Sequence, residues 1–147
     1  LLPYFDGERT PNRPDATGLI GGLRSDVTRE QLALAAVQGV ACGLVDALDA
    51  LRAHAEVPGR VVLTGGGAKS SALRPVLAGL LEQPLVLAGI DQAVAAGAAV
   101  QAAAVAGGDD HAAVQDRWGL GAGSGVIEPV ESGGLRERYA ELRELGR

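Results

Sequence analysis

The sequence predicts an α/β fold, and three observations carry that prediction. Short β-prone runs at residues 60–64 and 84–88 alternate with segments whose apolar residues recur at helical spacing. The first of these runs discharges directly into three glycines, Gly65, Gly66 and Gly67, followed by a polar turn and a helix-compatible stretch. Apolar residues make up 47% of the chain but aromatics only 3%, so the core must be closed by Ala, Val and Leu, which suits helices packed tightly on a sheet. At 147 residues one domain is the default, since a chain of this length buries roughly two-thirds of its unfolded surface.

Residues 1–17, rich in Pro, Gly, Asn and Asp, read as an extended loop, and residues 18–23 as a short strand-like run. Thr28 with Gln31 three positions later forms a capping box that opens a long helix reaching residue 54. Leu32, Ala36, Val40, Leu44, Leu48 and Leu51 recur at helical spacing and mark its expected buried face. Gly39 and Gly43, four apart, would let a neighbouring backbone come close. Pro58-Gly59 breaks the chain before the strand at 60–64. Residues 70–81 form a helix with Leu73, Val76, Leu77 and Leu80 on one side, and Pro75 is tolerable because it falls near the helix start. Residues 84–88 are the next strand. Asp91 begins an alanine-rich helix to residue 106, ended by Gly107 as a C-cap. Residues 109–130 are three glycine-broken pieces with no sustained period. Residues 134–145 form a terminal helix with Leu135, Tyr139 and Leu142 on one side.

A net charge of −5 and 13 scattered Lys and Arg residues leave no basic stripe, which argues against a nucleic-acid partner. No uninterrupted apolar run approaches the about 18 residues of a membrane span and no basic-then-apolar leader opens the chain, so a cytoplasmic protein without membrane contact is expected. Cys42 is alone and cannot form an internal disulfide; it reads as a small buried residue. His54 and His111 have no ligand-spaced partners, so no metal site is expected from this chain's residues. The absence of Met and the Leu-Leu-Pro opening predict a fragment of a larger protein.

The glycine triplet carries the functional reading. At a strand end it lets a ligand lie on the main chain, because no Cβ holds the ligand off. A helix opening at Ser70 or Ser71 would add unpaired N–H groups and the positive end of its dipole, which favour an anion, so a nucleotide is the natural ligand. Two other phosphate signatures fail on spacing. A Walker loop needs Gly before the Lys, but Ala68 precedes Lys69; the dinucleotide fingerprint needs Gly at its sixth position, which is Ser70. A plain tight strand-to-helix turn remains the alternative. Lys69 suits either a phosphate or solvent, and Glu8 with Arg9 suits either a place near the cleft or, the safer reading, an ion pair that fixes the first loop.

Four pieces read in order point further: Gly7-Glu8-Arg9-Thr10-Pro11; Gly18-Leu-Ile-Gly-Gly-Leu23 leading to Gln31-Leu32 and Ala35-Ala36-Val37-Gln38; Thr64-Gly65-Gly66-Gly67-Ala68-Lys69-Ser70; and Ala96-Gly97-Ala98-Ala99. Together they resemble the C-terminal half of the FGGY carbohydrate kinases, nearest to the xylulokinases of that family. The resemblance implies a two-lobed actin-like (ribonuclease H-like) ATPase fold with a mixed sheet flanked by helices, this chain being the nucleotide-side lobe. It implies that Gly65, Gly66 and Gly67 form the adenosine motif, with Ala68 and Ser71 near adenine, Ser71 standing where some related kinases carry Asn. It also implies that Ala96-Gly97-Ala98-Ala99 is an interlobe contact. ATP with Mg²⁺ is the implied cofactor pair and D-xylulose the implied substrate. The phosphate-binding Asp-Gly-Thr turn, most of the sugar site and the aspartate base belong to the N-terminal lobe and are not matched here. The chain alone is therefore expected to be inactive, with no catalytic residue of its own, and its uncovered face could drive homodimers. The rival readings are a stand-alone, non-catalytic nucleotide-binding or interaction module and, less favoured by glycine spacing, a dinucleotide binder.

Overall fold

The computed structural model describes residues 1–146, whose elements run α1 (Arg29–Arg52), β1 (Val61–Leu63), a 3₁₀ turn (Gly66–Lys69), α2 (Leu73–Leu81), β2 (Leu85–Ala88), α3 (Ala93–Gly107), α4 (His111–Arg117), β3 (Gly123–Ile127) and α5 (Leu135–Leu145). The three strands form one mixed sheet in the order β1-β2-β3. β1 and β2 are parallel, with Val61 opposite Leu85 and Leu63 opposite Leu87. A parallel pair needs a crossover, and α2 supplies it. β3 adds antiparallel to the other edge of β2, with Val86 opposite Val126 and an irregularity between Leu87 and Ala88.

α2 packs on the sheet and α1 packs on α2, so the core lies between them. Leu73, Leu77, Ala78, Leu80, Leu85, Ala41, Cys42 and Val45 are buried there together with Leu2, Tyr4 and Tyr139. The capping box forms as read: the Thr28 hydroxyl accepts from the Gln31 N–H at 3.2 Å, and the Thr28 N–H donates to the Gln31 carboxamide at 2.9 Å. The Leu73, Val76, Leu77 and Leu80 face of α2 also holds, with Pro75 in its first turn.

The face of α1 is the main correction. The Leu32, Val40, Leu44 and Leu51 stripe is exposed, Val40 by 49% and Leu44 by 48%, while Gly39, Ala41, Cys42 and Val45 are buried. Both stripes are apolar, and the side with small residues wins because it admits a closer approach. A Cβ at Gly39 would collide with the carbonyl of Leu1. By length and composition α1 is apolar enough to cross a membrane, against the sequence expectation, because Gln38 and Asp46 interrupt the apolar run without lowering its average enough. Within the fold it is a packed helix: Arg143 and Arg136 of α5 clamp its Asp46 and Asp49, each at 2.5 Å.

Other boundaries move. Residues 18–23 are not a strand; Leu19 makes only an isolated antiparallel bridge to Leu2. The helix expected from Ser70 opens at Leu73, because residues 66–69 first wind as a 3₁₀ turn. α3 starts at Ala93, and Gly108 rather than Gly107 takes the left-handed C-cap at φ 69°. Residues 109–130, read without period, hold α4 and the glycine-rich β3, which the free edge of β2 organises by main-chain pairing rather than by side-chain preference.

Burial pushes the Cys42 thiol up from its ordinary 9.0 to about 11, aided by Asp46. In that window the unfolded chain has lost the proton that the folded chain keeps, so stability falls as pH rises from about 9 to 11. Native Cys42 is expected to resist a thiol-specific disulfide reagent at pH 8 and to react once denaturant is added; rapid stoichiometric labelling of the folded chain would contradict this.

Candidate functional site

The parallel pairing of β1 and β2 brings both strand exits to one end of the sheet. There the turn after β1 and the turn after β2 enclose a cleft of about 110 Å³, lined by Thr64, Gly65, Ala68, Lys69, Arg74, Ala88, Ile90, Asp91 and Ser124 among others. Gly65 holds φ 81° and ψ −166°, a conformation open in practice only to glycine, and it turns the chain out of the strand into the 3₁₀ turn. Within that turn the Ala68 N–H donates to the Gly65 carbonyl and the Ser70 N–H to the Gly67 carbonyl, both at 3.1 Å. The Ser70 hydroxyl accepts from the Leu73 N–H at 3.2 Å, tying the turn to α2.

The five residues singled out in the sequence are dealt different places. Gly65 and Ala68 line the cleft; Gly66, Gly67 and Ser71 do not, and Ser71 is exposed. A Cβ on Gly66 would meet nothing within 4 Å, so this glycine presents bare main chain to open space. A Cβ on Gly67 would press on Leu73 at 3.3 Å, so this glycine answers to packing. Lys69 pairs with Asp91 at 3.2 Å across the mouth of the cleft, joining the two strand exits. Glu8 does not pair with Arg9; its carboxylate accepts from the main-chain N–H of Arg9 at 2.6 Å and of Thr10 at 3.1 Å, because the tight turn presents amides where the guanidinium does not reach. Two polar cleft residues escaped sequence reasoning. Ser124 donates its hydroxyl to the Ala88 carbonyl at 3.2 Å, and Arg74 donates Nε–H to the Ala68 carbonyl at 2.5 Å. A serine in a glycine-rich stretch and an arginine on a helix carry no motif of their own.

A larger pocket of about 270 Å³ lies elsewhere, between Leu1, Gly21, α1 and α5, and shares no residue with this cleft. Leu1, Leu135, Leu142 and Leu145 line it, and Arg138, also lining it, is already bonded to the Gly133 carbonyl at 2.6 Å.

The sequence profile of the FGGY family of carbohydrate kinases, C-terminal domain, matches residues 1–106. The chain belongs to this family. It is 44% identical over 132 residues to the xylulose kinase of Streptomyces coelicolor, a match covering 89% of this chain and 27% of that protein. Among solved structures it superposes on the xylulose kinase of Bifidobacterium adolescentis with a TM-score of 0.73 at 41% identity, covering 97% of this chain and 28% of that one. The xyloylose kinase of Brucella ovis gives a TM-score of 0.86 at 29% identity, covering 98% and 31%. The α/β architecture with a mixed sheet is thus that of the FGGY sugar kinases, and the chain spans about a quarter to a third of the length of the relatives it matches.

Two substitutions separate backbone from side-chain contributions at this site. Gly65→Ala forces a Cβ into a glycine-only conformation and should lower stability by about 1–3 kcal/mol in a denaturant melt. Lys69→Ala removes an exposed pair and should cost under about 0.5 kcal/mol. Equal costs for the two would contradict the assignment.

Proposed function

We propose that this chain is the nucleotide-side, C-terminal lobe of a two-lobed, actin-like ATP-dependent sugar kinase, in which the intact protein converts D-xylulose to D-xylulose 5-phosphate. The observation that carries the reading is the Gly65-Gly66 main chain at the exit of a parallel strand, where an added Cβ would meet no other atom within 4 Å and Gly65 lines the cleft. Family membership supports ATP as the phosphoryl donor, and xylulose kinases among the relatives support a pentulose acceptor. The ribonuclease H-like topology belongs to the same proposal, as do a cytoplasmic location and a homodimer.

On this reading the nucleotide rests on the main chain of Gly65, Gly66 and Gly67, with Ala68 and Ser71 beside adenine. Phosphoryl transfer then depends on positioning and charge neutralisation in a closed cleft. The aspartate base and most of the sugar contacts come from the other lobe. Mg²⁺ does not fit the residues of this chain as a resident ion: among the described residues no three His, Cys, Asp or Glu side chains converge, and Asp91 is held by Lys69. It would enter with the phosphates of the nucleotide.

α3 supports the two-lobed reading independently. It is Ala, Val and Gly on every side except for Gln101, yet only Val100 and Ala104 are buried, and its contacts are chiefly with α4. A helix apolar all round is normally enclosed. Ala96-Gly97-Ala98-Ala99 would let the other lobe approach closely and slide or hinge on it.

The test is a coupled assay of ADP release with ATP, Mg²⁺ and D-xylulose, run on the intact polypeptide and on this chain alone. Sugar-dependent turnover by the first and none by the second is expected. Turnover by the chain alone, or none by the intact polypeptide, would contradict the proposal.

A further inference from the structure

Among the described residues, Arg74 is the one arginine that lines the cleft between the strand exits. It is the second residue of α2, where the helix dipole disfavours positive charge, and it forms no ion pair among the described residues. Its Nε–H donates to the carbonyl of Ala68 at 2.5 Å, a charge-assisted bond spanning six residues. In that cleft it lies beside Gly65 and Ala68. The other cation of that cleft, Lys69, is exposed and engaged by Asp91. With the Ser70 hydroxyl bonded to the Leu73 N–H, the 3₁₀ turn is tied twice to the first turn of α2.

We propose that Arg74 is a positioning residue for the nucleotide. By holding the Ala68 carbonyl it makes the glycine turn and α2 one rigid body, so the main chain at Gly65–Ala68 keeps its binding shape when the cleft is empty. Preorganisation of this kind lowers the ordering cost of binding, and on the kinase reading, which places the sugar contacts mostly in the other lobe, it acts chiefly on the nucleotide. The inference rests on the kinase reading for its ligand, but not for its geometry.

The experiment compares wild type, Arg74→Gln and Arg74→Lys in the intact polypeptide, by steady-state kinetics with ATP and D-xylulose varied separately and by calorimetric titration with ADP. Arg74→Gln should raise KM for ATP and weaken ADP by about tenfold, the size of a lost charge-assisted hydrogen bond. KM for D-xylulose and kcat should stay within about twofold, and Arg74→Lys, which keeps a donor and the charge, should recover most of the loss. Unchanged ATP and ADP constants would overturn the proposal. So would a parallel rise in both KM values with a lowered melting temperature, which marks a merely structural role. Wild type that binds ADP but turns over no sugar overturns the kinase reading and leaves Arg74 to be judged by ADP affinity; wild type that binds no ADP overturns both.

Discussion

The constraint on which the rest depends is the parallel pairing of β1 with β2. Two parallel strands joined through α2 must leave the sheet at the same end, so the glycine turn after β1 and the loop carrying Asp91 after β2 face each other without further design. Everything that defines the cleft follows from that shared end: Gly65 bends the chain over it, Lys69 and Asp91 close it from either side, and Ser124 joins from β3 because β3 pairs with β2. An antiparallel β2 would have carried Asp91 to the opposite end of the sheet.

The same architecture leaves apolar surface unmatched. The outer stripe of α1, with Leu32, Val40, Leu44 and Leu51, and almost the whole circumference of α3 are exposed. Such surface is costly in water and marks where another body sits. The relatives this chain matches are three to four times as long, and on the proposed reading the other lobe is the body that covers it. On that reading the work is divided: this lobe would supply main chain for the nucleotide, the other the acid–base chemistry, and hinging between them would exclude water.

Much of this was legible in the sequence where one residue type admits one structural answer. Thr28 and Gln31 fixed the start of α1, Pro84 and the run after it located β2, and Leu73, Leu77 and Leu80 gave the buried side of α2. The buried side of α1 was not legible, because periodicity finds apolar stripes and this helix has two; the choice falls to close packing around Gly39 and Cys42, a tertiary fact. β3 was illegible because Gly123-Ser-Gly has no strand preference and is held by its neighbour. The glycine triplet was legible as a motif but not in its division of labour. Gly65 supplies the backbone angle, Gly65 and Gly66 both stand open where a Cβ would sit, and Gly67 gives clearance for Leu73, a division visible only in the fold.

The measurement that bears most directly on the account is ADP affinity by calorimetry in the intact polypeptide, wild type against Gly66→Val. A Cβ at Gly66 would meet nothing within 4 Å, so valine should shift the melting temperature little and obstruct mainly a ligand lying on the main chain. The account predicts an affinity at least about tenfold weaker in the variant. Equal affinities with equal melting temperatures would mean that nothing binds across this turn and that the three glycines serve the chain's own geometry.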